Sequence, residues 1–204
     1  LTLPLKFYYL TEEEEYVLSQ LVSTTQKGVI PMSQVIAIVN QKGGVAKTTT
    51  TVNLAAALVQ QDERTLCVDL DPQANLTMSL GCQNPDELPY TIADVIDKVI
   101  AEKNIDPSEG IIHHAEGIDL MPSSIQLSGY DTLLINEYGR ENMLRQYVDA
   151  ARPFYDHILI DCQPSLNILT INALVAADSV LIPTQPQFLV WSFCFRPTAK
   201  YAVK

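Results

Sequence analysis

The sequence predicts a single α/β domain with parallel strands, and three observations carry that expectation. The first is a strand–loop–helix unit. The apolar run Val35-Ile36-Ala37-Ile38-Val39 enters Asn40-Gln41-Lys42-Gly43-Gly44-Val45-Ala46-Lys47-Thr48-Thr49-Thr50-Thr51, after which Val52, Ala55, Ala56 and Val59 recur at helical spacing. The second is a pair of further apolar runs, Arg64–Asp69 and His157–Asp161, each ending in a carboxylate. Continuous apolar runs suit strands buried on both faces of a parallel sheet. The third is size: 204 residues, 47% of them hydrophobic, are enough to bury one core.

The loop after the first strand carries the chemistry. Two adjacent glycines let backbone N–H groups close around an anion, and the start of the following helix adds a favourable dipole. Lys47 is placed to reach terminal phosphates, and the Thr48 hydroxyl is placed to hold a magnesium ion. The spacing departs from the usual G-x-x-x-x-G-K-[ST] pattern, because Gln41 and Ala46 stand where its outer glycines belong. A lysine, Lys42, directly precedes the glycine pair instead.

The second strand, Arg64–Asp69, runs into Leu70-Asp71-Pro72-Gln73-Ala74-Asn75-Leu76-Thr77. Pro72 ends the extended run, so Asp69 and Asp71 project at the strand's C-terminal end, where open α/β sheets bind ligands. The third strand ends in Asp161, placed as a carboxylate that holds magnesium beside the phosphate loop, and continues as Cys162-Gln163-Pro164-Ser165.

The remaining elements follow in order. Thr11-Glu12-Glu13-Glu14 resembles a capping box and opens a helix over about 12–22, inside an N-terminal extension 1–31 whose role the sequence does not assign. The chain opens on Leu1 rather than methionine. A polar loop covers 81–90, and Thr91-Ile92-Ala93-Asp94 opens a helix to about Lys103. Ile118–Met121 is a short strand ending at Pro122, with helices expected over Ser124–Glu137 and Gly139–Ala151, then over Leu166–Ala177 before a strand Ser179–Pro183. His113 and His114 point to opposite faces of a strand, which argues against a shared metal.

Composition narrows the function. Formal net charge is −11, a surface that repels nucleic acid and anionic membrane unless a local basic patch exists. No stretch has the uncharged apolar length of a membrane-spanning helix. Cys67, Cys82, Cys162 and Cys194 are widely spaced without a C-x-x-C pair, so reduced thiols in a cytoplasmic chain are expected.

The stretch Lys42-Gly43-Gly44-Val45-Ala46-Lys47-Thr48 resembles the deviant Walker A box of the ParA/MinD family of P-loop ATPases, whose extra lysine marks the family. D-L-D-P-Q-A-N-L-T (69–77) resembles its switch I. D-C-Q-P-S-L (161–166) resembles its switch II, usually D-C-P-P-S-L, with Gln163 in place of a proline. The likeness runs from about Met32 to Gln187, is closest to the ParA/Soj partition branch, and collapses in a divergent tail, 188–204. It implies a mostly parallel sheet with helices on both faces over 32–187, incomplete at the C-terminus as in a truncated or frameshifted product.

The resemblance also implies a function: an ATPase of chromosome or plasmid segregation that binds ATP and Mg2+. By that likeness Lys42, Gly43, Gly44, Val45, Ala46, Lys47, Thr48 and Thr49 bind the nucleotide, and Thr48 and Asp161 hold the metal. Lys42, Lys47 and Asp71 are the catalytic residues, with Asp71 positioning water, Asp69 a structural acid, and Lys42 reaching a partner's phosphates in an ATP-sandwich homodimer. A ParB-like adaptor and non-specific DNA are the implied partners of complete family members. With three basic residues in the tail, this chain is expected to bind duplex DNA poorly and to self-associate through Trp191, Phe193 and Phe195. A MinD-like ATPase positioning cellular cargo would need a basic amphipathic C-terminal helix, and an iron-protein relative would need cluster cysteines. A non-enzymatic nucleotide-binding remnant is the remaining alternative.

Overall fold

The computed structural model describes residues 33–184. The expected helix at 12–22 and the aromatic tail lie outside the described residues. Six strands form one sheet: β1 (Gln34–Ile38), β2 (Thr65–Leu70), β3 (Ile112–His113), β4 (Ile118–Met121), β5 (His157–Cys162) and β6 (Ser179–Leu181). Their spatial order is β3-β4-β2-β5-β1-β6, parallel throughout except for the antiparallel edge pair β3–β4. The α/β expectation is met, and each predicted strand lies within a few residues of its expected bounds.

Helices cover both faces, as side-chain alternation along the strands requires. On one face α1 (Lys47–Val59) and α2 (Asn75–Ser79) pack Leu54, Ala55, Leu58 and Leu76 over Ile36, Ile38, Cys67 and Leu159. On the other, α3 (Ile92–Ile100), α5 (Met143–Ala151) and α6 (Ile168–Ala176) cover Val35, Ala37, Leu66, Val68, Ile158 and Ile160. The capping box at Thr91 forms as read: the Thr91 hydroxyl accepts from Ala93 N–H while Asp94 accepts from Thr91 N–H at 2.8 Å.

The expected continuous helix over 124–137 does not form. The segment winds as 3-10 turns around a single short helix, α4 (Tyr130–Leu133). Ser128-Gly129 sits at its centre and lowers helix propensity, while only Leu127, Tyr130 and Leu134 reach the core. Residues 140–142 are likewise 3-10, so α5 starts at Met143 rather than Gly139. α3 stops three residues short of Lys103, and Asn167 caps α6 by accepting from Thr170 N–H, which moves its start past Leu166.

Among the described residues no helix is long and apolar enough to cross a membrane. Cys67, Cys82 and Cys162 are free thiols, and Cys67 and Cys162 lie buried in their strands.

Two buried tyrosines make opposite predictions. The Tyr130 hydroxyl donates to Ala93 O at 3.0 Å, whereas the Tyr147 hydroxyl is buried without a hydrogen-bond partner. Tyr147→Phe should leave Tm unchanged or raise it, because it removes an unsatisfied polar atom, while Tyr130→Phe should cost about 1 kcal/mol. Paired thermal melts check this, and a larger loss for Tyr147→Phe would contradict it.

Candidate functional site

The C-terminal tips of β1, β5 and β2 lie side by side, and register decides which side chains meet there. Ile38 is opposite Asp161 across β1–β5, and Asp161 is opposite Asp69 across β5–β2. The loop leaving β1 therefore passes directly over the Asp161 carboxylate.

That loop is held closed by the Asn40 side chain. Asn40 accepts from Lys42 N–H at 2.9 Å and donates to Pro183 O at 2.9 Å, tying the loop to the exit of β6. Gly44 (φ 71°) and Ala46 (φ 65°) take the left-handed conformation that lets successive N–H groups curl inward. At Ala46 a side chain stands where glycine is favoured. The residue before α1 provides no side-chain cap and the first turn holds no acid, so the helix start keeps its positive end for an anion.

Lys47 folds back across the loop, its Nζ donating to Lys42 O at 3.2 Å, and is almost wholly buried. Thr48 Oγ1 donates to Asp161 Oδ2 at 2.6 Å. The other carboxylate oxygen of Asp161 is buried and has no hydrogen-bond partner. An orphaned carboxylate oxygen beside a threonine hydroxyl, both oxygen donors, fits a hard divalent cation. Asp71, on the turn after β2, is partly exposed and accepts from Gln73 N–H at 2.9 Å.

Electrostatics tie these groups together. Burial lowers the Lys47 ammonium from its usual range, and Asp161, Asp71 and Cys162 act against that fall. Burial pushes the Asp161 carboxyl up to about 7; the Thr48 hydrogen bond opposes the rise, Asp69 and Asp71 add to it, and Lys47 opposes it. Asp69, fully buried, is raised to about 6 by desolvation against hydrogen bonds from Thr77 and Asp71 N–H. Each charge is held where its charged form is disfavoured.

The sequence-read residues Lys47, Thr48, Asp161 and Asp71 thus converge at one end of the sheet. Gly43, Gly44, Val45, Ala46 and Thr49 form the loop and first turn around them, and Lys42 contributes its carbonyl to the Lys47 contact. His113 is elsewhere, at the β3 edge, with Nδ1 2.6 Å from Asp119 Oδ1. Beside the loop lies an open groove of about 210 Å³ lined by Val39, Leu166, Leu174 and Ile182 among others. No charged side chain lines it, so it offers a polyphosphate no counter-charge. Sequence reasoning missed Asn40 as the loop's anchor and Thr77 as the partner of Asp69. Neither lies in a spacing pattern that announces it.

The raised carboxyl of Asp161 sets a pH dependence. Its folded value lies above its unfolded value of about 3.9, so the native state holds more protons between them and stability falls as pH rises from about 4 to 7. Without nucleotide, Asp161→Asn, which can still accept from Thr48, should therefore be more stable than the parent at pH 7.5 by about 1 kcal/mol or more. The gap should narrow as pH falls and close near pH 4. Thermal melts across that range check it, and equal Tm values at pH 7.5 would contradict it.

The chain matches the family described as an AAA domain over residues 33–192. It is 45% identical over 163 residues to the sporulation initiation inhibitor protein Soj of Bacillus subtilis, covering 77% of this chain and 60% of that protein. It is 43% identical over 168 residues to the chromosome partitioning protein ParA of Myxococcus xanthus, covering 80% and 56%. The chain thus spans little more than half the length of these relatives. Among solved structures, cobyrinic acid a,c-diamide synthase from Mycobacterium smegmatis with bound ADP and magnesium superposes with TM-score 0.72 at 41% identity, covering 80% of this chain and 65% of that one. A plasmid partition protein of Borrelia burgdorferi bound to AMPPNP gives TM-score 0.66 at 27% identity, covering 78% and 65%. With the family match spanning every described strand, the chain belongs to the family described as an AAA domain, and over the same span it is similar to the Soj and ParA proteins.

Proposed function

We propose that residues 32–187 bind ATP with Mg2+ and hydrolyse it, as the nucleotide-binding domain of a ParA/Soj-type partition ATPase acting in chromosome or plasmid segregation. The observation that carries the proposal is the Thr48–Asp161 contact at 2.6 Å, made beside the buried ammonium of Lys47 at the mouth of a left-handed glycine loop. Relatives crystallised with ADP and magnesium or with AMPPNP share the fold and support the same ligand class here.

The backbone N–H groups of Gly43–Thr48 take the terminal phosphates, and Lys47 exchanges its long contact to Lys42 O for phosphate oxygens. Thr48 and Asp161 are the residues that would hold magnesium, which when bound supplies charge neutralisation for the leaving diphosphate. Asp71 orients the attacking water through its carboxylate, from a turn whose backbone it also braces. Lys42 reaches the phosphates of a second copy across a nucleotide-bridged homodimer. The implied partners are a ParB-like adaptor and DNA, and the implied compartment is the cytoplasm.

Two measurements test the proposal. ATP with magnesium at a hundredfold excess over Kd should stabilise the parent by about 2.7 kcal/mol, several degrees in Tm, and Lys47→Ala should lose that shift. A mutant that keeps it would refute the cradle.

Asp71→Ala should retain the shift but lose turnover by about a hundredfold or more, whereas Asp161→Ala should first lose the magnesium dependence of binding. Equal loss of binding and turnover in Asp71→Ala would instead assign Asp71 to the metal.

A further inference from the structure

Asp69 is a fully buried carboxylate, and all three of its hydrogen bonds come from the eight residues that follow it. Asp71 N–H donates to Oδ1 at 3.1 Å. Thr77 N–H and Thr77 Oγ1 donate to Oδ2 at 2.9 and 2.7 Å. The turn between these two attachments carries the Asp71 carboxylate. Thr77 is itself fully buried, and its hydroxyl also accepts from Ser123 N–H at 3.0 Å, just beyond β4.

The bridging group must accept from an N–H on one side and donate to a carboxylate on the other. A hydroxyl is the smallest side-chain group that does both. One oxygen atom thereby joins the β2 tip, the first residues of α2 and the exit of β4, and it does so where an unmade bond to a buried carboxylate is costly. Asp71 is otherwise braced only locally, by Gln73 N–H at its carboxylate and Ala74 N–H at its carbonyl.

We propose that Thr77 is a positioning residue for the reaction: its hydroxyl clamps the 71–77 turn to Asp69 and to the β4 exit, and so fixes Asp71 beside the phosphate loop. The role in catalysis rests on the assignment of Asp71 under the function proposed above; the clamp itself does not. Thr77 acts through Asp71 and holds neither phosphate nor metal. Its loss therefore acts on turnover and leaves nucleotide binding intact.

The test compares the parent chain with Thr77→Val, which keeps the shape and removes the hydroxyl, Thr77→Ser, which restores it, and Ser123→Ala, which removes a neighbouring buried hydroxyl that has no partner. Amide hydrogen exchange is read first, because it needs no activity. In Thr77→Val, residues 71–80 should exchange about tenfold faster or more while β1 and β5 keep the parent's protection, and Thr77→Ser and Ser123→Ala should match the parent. In ATP turnover, Thr77→Val should lower kcat about tenfold or more with KM within about twofold of the parent, and Thr77→Ser should recover most of it. Unchanged exchange at 71–80 overturns the clamp, and so does loss of protection across the whole sheet, which would make Thr77 a general core residue. A KM that worsens in step with kcat overturns the positioning role. A parent that neither binds nor hydrolyses ATP refutes the proposed function instead, and the exchange measurement still decides the clamp.

Discussion

Everything at the site depends on β5 being inserted between β1 and β2, because that register seats Asp161 under the glycine loop and beside Asp69. Two carboxylates come to lie in a desolvated layer with one buried ammonium for company. Coulomb interactions there are weakly screened, so the layer is costly as it stands. The orphaned oxygen of Asp161 and the long Lys47–Lys42 contact are where that cost shows. A cation on the first and a polyphosphate on the second would relieve both together. Local frustration of this kind is what a binding site, as opposed to a stabilising ion-pair network, is expected to show.

The loops that meet this layer share a backbone device. Ala46 and Ala74 immediately precede α1 and α2, and both are alanines in the left-handed region, at φ 65° and 51°. Each gives up about 1 kcal/mol relative to an unstrained residue. In return, the chain enters each helix from a residue that provides no side-chain cap, and at α2 the Thr77 N–H is taken by Asp69 instead. Ala46 is thus more than a departure from a glycine pattern: the loop keeps the glycine conformation despite the methyl group.

The opposite end of the sheet is built differently. There Arg64 donates three hydrogen bonds to the Asp156 carboxylate, from its backbone N–H, Nε and Nη2, and Arg152 pairs with Asp178 at 2.8 and 2.9 Å while also donating to Ser33 O. Those charges are partly solvated and mutually satisfied, and the hydrogen bonds to Arg64 hold Asp156 below the usual carboxylate range. Matched pairs lie at one end of the sheet and mismatched charges at the other, where the proposed site is.

Much of this was determined by sequence alone. Apolar runs ending in Asp69 and Asp161, and a two-lysine glycine loop between strand and helix, were enough for the fold class and for which loop and carboxylates meet at one end of the sheet. These are short-range patterns, and local periodicity and backbone chemistry express them directly. Register, burial and long-range pairing needed the tertiary structure. Nothing marks Asn40 and Pro183, Asp69 and Thr77, or Thr77 and Ser123 as partners: the first contact exists only once β6 lies beside β1, the second only once the 71–77 turn folds back on the β2 tip, and the third only once β4 lies beside β2. The 124–137 segment failed for the same reason. Its apolar spacing is helical, but which of those residues reach the core depends on how the segment lies against α3 and α6, and a pattern of local preferences does not contain that packing.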